Sequence, residues 1–250
     1  MNNYKALVSG GSKGIGKAIA LRLAENDMDI CITGRNVDDL NEVKEEIEKL
    51  GRKCDIIVAD FNNMNEVREA GKKALQISPV WNILVNNAGT ISQDALIDIK
   101  EEDWDNIMNV NLKAALILSQ IIVPQMIERK QGKVINISSL GAFVGTIGLG
   151  AYAASKAALS QLTRTMATEW GPHNIQANAI CPTLILTKLS RKVFDKPENQ
   201  EMRQNFLNKI PAGRFGELND AAGLALFLAS KDSDFINGVS IPLDGGKLVG

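Results

Sequence analysis

Short β-branched runs alternate with amphipathic stretches along the whole chain. The apolar runs at residues 5–9, 29–33, 54–59, 82–85, 133–137, 176–180 and 239–243 are too short for helices and read as buried strands. Between them, apolar positions recur every three to four residues over 14–25, 37–50, 65–77, 102–128, 152–169 and 220–229, which predicts helices. The stretch 102–128 is long enough to be bent or broken. Repeated strand–helix alternation predicts an α/β fold: one doubly wound parallel sheet of about seven strands with helices on both faces. No low-complexity segment or linker interrupts the pattern, so residues 1–250 read as a single domain.

In open sheets of this kind, ligands bind beyond the carboxyl ends of the strands. The chemically distinctive residues fall there. Residues 9–16 follow the first strand, Gly34 and Arg35 the second, Asp60 the third and residues 86–89 the fourth. Ser139 follows the fifth and residues 182–187 the sixth.

Composition narrows the chemistry. Of 250 residues, 45% are hydrophobic and 23% charged, and 28 basic against 29 acidic side chains leave a net charge of -1. That balance argues against a nucleic-acid partner, which usually demands a basic excess. No unbroken apolar run approaches the ~18 residues of a membrane span, and the first residues lack the apolar core of a signal peptide, so no membrane is expected and the cytoplasm is the expected location. Cys31, Cys54 and Cys181 are far apart without metal-ligand spacing and read as buried small hydrophobes. The single histidine, His173, follows Gly171-Pro172 at a helix end and reads as a surface or capping residue. Histidine-based hydrolysis and a histidine-rich zinc site are thereby disfavoured.

Tyr152 and Lys156 stand four apart, about one helical turn, so in a helix they share a face. A neighbouring ammonium favours the phenolate, and free tyrosine titrates near ~10, so the pair reads as an activated phenol. Ser139 lies thirteen positions before the tyrosine. Tyr4, the other tyrosine, precedes the first strand.

The loop Ser9-Gly10-Gly11-Ser12-Lys13-Gly14-Ile15-Gly16 joins a strand to a helix. Its glycines allow a tight turn and a close approach of backbone to ligand, while the helix N-terminus offers free N–H groups to phosphate. Ala18 replaces the hydroxyl residue that a magnesium-holding nucleotide loop needs. The spacing G-x-G-x-x-G does not fit either. A Gly-x-x-x-Gly-x-Gly variant, through Gly10, Gly14 and Gly16, does.

With these motifs the chain resembles a single-domain short-chain dehydrogenase/reductase of Rossmann type. The resemblance rests on the glycine loop, Asp60, Asn86-Asn87-Ala88-Gly89, Asn111, Ser139, Tyr152-x-x-x-Lys156, residues 182–187 and Asp244-Gly245-Gly246, in that order. Two positions depart from the family pattern: Ser9 stands for a threonine, and Thr183 for the glycine after Pro182. The resemblance implies that Asp60 meets the adenine amino group beside the Phe61 backbone. It implies that residues 86–89, with Asn87, Ala88 and Gly89, line the adenosine ribose and brace the central strands. It also implies that Pro182, Ile185 and Thr187 meet the nicotinamide and pyrophosphate end.

The reaction so implied is reversible hydride transfer between nicotinamide and a carbonyl or secondary alcohol, with Tyr152 as general acid or base. Lys156 lowers the tyrosine's pKa and binds the nicotinamide ribose, Ser139 polarises the carbonyl oxygen, and Asn111 holds a water that links Lys156 to solvent. No metal is expected. A dinucleotide without a 2′-phosphate is usually gripped by an acid at the end of the second strand. Here Thr33-Gly34-Arg35-Asn36 offers Arg35 instead, with Lys13 as a second cation, so NADP(H) is expected over NAD(H).

Residues 183–214, charged and helix-prone, read as a lid over the substrate, with residues 141–150 as the other wall. Their basic excess suits an anionic substrate or a solvated face. The C-terminal part resembles bacterial members acting on 3-oxoacyl thioesters, sugars, sugar acids or ketones. A homotetramer, or a homodimer, is expected by the same resemblance, through the helices near 102–128 and 152–169. The alternative is a non-catalytic NADP(H)-binding sensor on the same fold.

Overall fold

The computed structural model describes residues 4–249. Seven parallel strands form the main sheet: β1 (Lys5–Val8), β2 (Asp29–Gly34), β3 (Cys54–Val58), β4 (Ile83–Asn86), β5 (Gly132–Ile137), β6 (Ile175–Pro182) and, last in the chain, β9 (Ser240–Leu243). Their order is β3-β2-β1-β4-β5-β6-β9. A two-stranded parallel ribbon pairs β7 (Ile185–Leu186) with β8 (Gly216–Glu217). The helices are α1 (Gly14–Ala24), α2 (Val37–Lys49), α3 (Met64–Ile77), α4 (Glu101–Met108), α5 (Ala114–Arg129), α6 (Gly150–Trp170), α7 (Lys188–Phe194), α8 (Gln200–Leu207) and α9 (Leu218–Ala229).

Alternation along each strand explains the two layers. Ala6 and Val8 of β1 join Ile30, Ile32, Ile83 and Val85 in one core beneath α1, α2 and α9. Leu7 faces the opposite way, with Cys31 and Leu84, into a second core beneath α3, α5 and α6. Successive strand residues point to opposite faces, so a strand covered on both sides must be apolar throughout. That is why β1 and β4 read as unbroken apolar runs.

The expected long helix is three pieces. Between α4 and α5, Asn109–Lys113 forms a π-helical turn. Such a turn widens the helix locally and is common at functional sites. The whole segment Glu101–Arg129 contains a window long and apolar enough to cross a membrane by length and composition, although no unbroken apolar run in it reaches that length. Scattered polar residues such as Asn111, Lys113 and Ser119 hid it, and half of that window is buried in the protein.

The strand order reverses between β1 and β4, which opens a crevice at their carboxyl ends. Residues 183–214 form a small layer of their own beside it. Phe194, Ile210 and Phe215 pack there with Leu184, Leu186 and Leu207.

Candidate active site

The crevice is a groove of about 440 Å³. Gly10, Ser12, Lys13 and Ile15 line one side; Gly34, Arg35, Ala59, Asp60 and Phe61 another; Asn87, Ala88, Gly89 and Thr187 also face it. Two glycines adopt left-handed backbone, Gly10 at φ +63° and Gly14 at φ +55°. Gly16 answers to space instead. A Cβ there would lie 2.3 Å from both Asn87 Nδ2 and the Gly10 carbonyl oxygen. The N-terminus of α1 has no side-chain cap, so its first N–H groups remain available to an anion at the groove.

Ser9 does what a threonine hydroxyl would. Its Oγ accepts from the backbone N–H of Asn87 (2.9 Å) and Ala88 (3.0 Å). Asn87 Nδ2 donates back to the Ser9 and Gly10 carbonyls at 2.9 and 3.0 Å. The glycine loop and the end of β4 are thus one hydrogen-bonded unit. Asn86 points away and donates to Asn136 Oδ1 (2.8 Å) and Ser119 Oγ (3.1 Å), tying β4 to its neighbours.

Arg35 is exposed at the groove and forms no ion pair among the described residues. Lys13 is different: its ammonium pairs with Asp39 at 2.6 Å, which offsets part of the second positive charge. Asp60 Oδ1 accepts from Asn62 N–H, which fixes the turn after β3.

At the other end of the groove stand the residues of the reactive quartet. Ser139 lies two residues past β5, and its Oγ accepts from Gly141 N–H at 3.1 Å while its own O–H is directed to the Tyr152 phenol. Tyr152 and Lys156 project from the first two turns of α6. Lys156 is buried, and its Nζ donates to the Ile137 carbonyl at 2.8 Å while lying 5.8 Å from the Tyr152 ring centroid. Burial pushes its pKa down to about 8. Burial likewise raises the Tyr152 phenol above its ordinary value, partly offset by a hydrogen bond with Ser139. The expectation that the lysine acidifies the phenol is therefore corrected. The ammonium donates to a backbone carbonyl, and for the phenol loss of solvent outweighs the Ser139 hydrogen bond.

Asn111 sits on the π-helical turn, and its amide is held by three hydrogen bonds. Nδ2 donates to the Thr90 carbonyl (2.9 Å) and Ser155 Oγ (3.0 Å), and Oδ1 accepts from Thr90 N–H (2.7 Å). Ser155 Oγ donates in turn to the Tyr152 carbonyl at 2.7 Å. Both side-chain donors are spent, so a water at Asn111 would have to donate to an acceptor, the second lone pair of Oδ1 or the backbone carbonyl.

Gly89 joins the two halves. It lines the groove, and a Cβ there would lie 3.4 Å from Asn111 Oδ1 and 3.5 Å from Lys156 Nζ. Gly14, Gly16, Tyr152, Lys156, Pro182 and Ile185 do not line the groove itself. Pro182 ends β6 opposite Leu243, and Ile185 is buried in the ribbon beside Gly216. Thr187 does line it, but its hydroxyl caps α7 by accepting from Ser190 N–H at 3.2 Å.

Sequence reasoning missed Thr90, Asn106 and Val110 in the lining, and Ser155 behind the tyrosine. The spacing of Asn106 and Val110, four apart and just before Asn111, was the available signal. Gly11 was passed over too. A Cβ there would lie 2.5 Å from Ile32 Cγ2, so the second glycine lets the loop lie against β2.

Residues 10–247 match the family profile described as enoyl-(acyl carrier protein) reductase. The chain is 38% identical over 244 residues to a 2-dehydro-3-deoxy-D-gluconate 5-dehydrogenase of Dickeya dadantii (strain 3937), covering 97% of this chain and 94% of that one. It is 36% identical over 243 residues to a 3-oxoacyl-(acyl-carrier-protein) reductase of Thermotoga maritima, covering 97% of each. Among solved structures, a gluconate 5-dehydrogenase from Burkholderia cenocepacia J2315, in complex with NADP and tartrate, superposes with TM-score 0.92 at 33% identity. That match covers 100% of this chain and 97% of the other. With fold, motif order and relatives in agreement, the chain belongs to the short-chain dehydrogenase/reductase family of oxidoreductases.

Proposed function

We propose that this protein is an NADP(H)-dependent oxidoreductase that interconverts a carbonyl and a secondary alcohol. The observation that carries the reading is the junction at Gly89, where the groove meets Lys156 and Asn111. The groove fits a dinucleotide: an uncapped helix N-terminus, glycines with no room for a Cβ, and a free Arg35 at the β2 end. Arg35 and Lys13 would hold the 2′-phosphate, Gly10 to Gly16 the pyrophosphate, and Asp60 with the Phe61 backbone the adenine. Asn87, Ala88 and Gly89 would line the ribose, with Pro182, Ile185 and Thr187 beyond. The bound cofactor supplies or accepts the hydride.

The chain's own residues manage the proton. Ser139 would turn its O–H from the Tyr152 phenol to the substrate oxygen, where negative charge develops. Tyr152 gives its proton to that oxygen in reduction and takes it back in oxidation. A phenol held above its ordinary pKa by burial suits the acid role. Lys156 keeps a cation beside the ribose site, and Asn111 braces α6 through Ser155. Residues 183–214 would close over the substrate. A homotetramer or homodimer, built on the helices at 101–129 and 150–170, is part of the same reading.

The relatives divide between sugar-acid dehydrogenases and a 3-oxoacyl reductase, so the carbonyl partner is a ketone, a sugar or sugar acid, or a thioester. A panel of these carbonyls with NADPH and NADH, followed by cofactor absorbance, tests the reading. Turnover faster with NADPH is expected. Tight NADPH binding with silence across the panel would favour a sensor instead.

A further inference from the structure

Thr183 stands where the family pattern has glycine, and its side chain is not idle. Lys247 Nζ lies 3.5 Å from Thr183 Oγ1 and 5.6 Å from the Phe206 ring centroid. The lysine thus bridges the end of β6 and helix α8. It reaches there because Gly245 and Gly246 take left-handed backbone, at φ +62° and +90°, and lay the C-terminal turn against residues 210–212. The turn is fixed: Asp244 accepts from Gly246 N–H (3.0 Å) and Leu248 N–H (2.7 Å), and the Gly245 carbonyl accepts from Ala212 N–H (3.0 Å).

The charge at this place is unbalanced. Neither Lys247 nor Lys209 forms an ion pair among the described residues. Burial and the nearby Lys209 ammonium push the Lys247 pKa down, while Asp244 pulls it up. The carboxylate of Asp244 is committed to the two backbone N–H groups. Lys247 meets the Thr183 hydroxyl without a carboxylate bonded to it, while Lys209 faces a surface hollow shared with Glu198 and Glu201, so Lys247 is the cation here complementary to an anion.

The distance to the reactive quartet is short. Ile137 pairs with Ile180, and Ser138 N–H donates to the Ile180 carbonyl, so Ser139, two residues past β5, lies beside the end of β6. Thr183 is the next residue past β6, held by its N–H to the Leu243 carbonyl at 3.1 Å. Adjacent strands lie roughly 5 Å apart, so Ser139 and Lys247 stand about one to two strand spacings from each other. That span fits a chain of a few carbons with a carbonyl near one end and an acid at the other.

We propose that Lys247, with Thr183, anchors the carboxylate of a small keto acid whose carbonyl lies at Ser139 and Tyr152. The assignment rests on the carbonyl-reductase reading and selects among its substrates: a sugar acid fills the span, whereas a neutral ketone leaves the anchor unused.

The test compares 5-keto-D-gluconate with its primary amide, which removes only the charge. Steady-state reduction by NADPH is measured in wild type, Lys247→Ala and Lys247→Arg. A charge-assisted contact predicts that the preference for acid over amide falls roughly 10- to 100-fold in Lys247→Ala, chiefly through KM. Lys247→Arg should recover most of it. An unchanged preference, or equal losses on acid and amide, overturns the anchor, as does a dependence on Lys247 confined to D-fructose 6-phosphate. If wild type reduces neither compound, the failure belongs to the reductase reading. Calorimetric titration of D-gluconate into the NADP-loaded protein then decides the anchor. Binding lost in Lys247→Ala upholds it; equal binding in both proteins, or none in wild type, overturns it.

Discussion

Lys156 holds a cation in a place that excludes water, with the Ile137 carbonyl as its bonded partner. Its pKa near 8 against an ordinary 10.5 means that the folded protein binds fewer protons than the unfolded chain between those values. Unfolding then takes up a proton, so this group makes the protein more stable as pH rises through that window. Below pH 8 both states are charged and the full penalty remains. Against Lys156→Met, wild type should gain roughly 3 kcal/mol of relative stability between about pH 8 and 10.5, read from urea unfolding. A flat difference would contradict the burial account. Tyr152→Phe should lower turnover by about 10³-fold or more while NADPH still binds, measured by fluorescence titration. The pairing of tyrosine and lysine was legible from spacing alone. The sign of the tyrosine's shift was not, because desolvation depends on the cover that tertiary packing supplies.

Among the elements, the glycine loop and the π-helical turn show two kinds of legibility. Gly10 and Gly14 sit at left-handed turns, and Gly16 faces Asn87 with no space between. Gly16→Ala should therefore cost about 1–3 kcal/mol from steric overlap and weaken NADPH binding, seen as a lower Tm and a raised Kd. The strands were readable because apolar runs flanked by helical periodicity have few other solutions. The π-helical turn at Asn109–Lys113 was not, since one extra residue per turn leaves no mark in a hydrophobic pattern. The lid is a further case. Charge marked residues 183–214 as unusual, but the small core of Phe194, Ile210 and Phe215 depends on residues that only the fold brings together. Phe194→Ala removes contacts to both Phe206 and Phe215. It should raise the KM for the carbonyl substrate several-fold with little change in NADPH affinity, since the groove lies outside that core.

The whole molecule is a sheet whose strand ends collect a loop, an acid, a serine and a helix along one edge, in an order set by topology. Parallel β–α alternation made that edge visible in the sequence, and with it most of the candidate site. What stayed hidden was the balance of charge along the edge. Lys13 is paired with Asp39, so among the described residues Arg35 is the unpaired cation at the β2 end of the groove. Discrimination between the cofactors should rest mainly on it: Arg35→Ala should reduce kcat/KM for NADPH roughly 10- to 100-fold and leave NADH nearly untouched. The central claim, a proton-donating tyrosine at the end of an NADPH groove, is tested most directly by rapid mixing. NADPH-loaded wild type and Tyr152→Phe would each be mixed with 5-keto-D-gluconate and other carbonyls of the proposed classes, and loss of the reduced cofactor followed. The account predicts a single exponential oxidation in wild type and none on that timescale in the variant, with equal NADPH bound. Equal rates in the two proteins would contradict it.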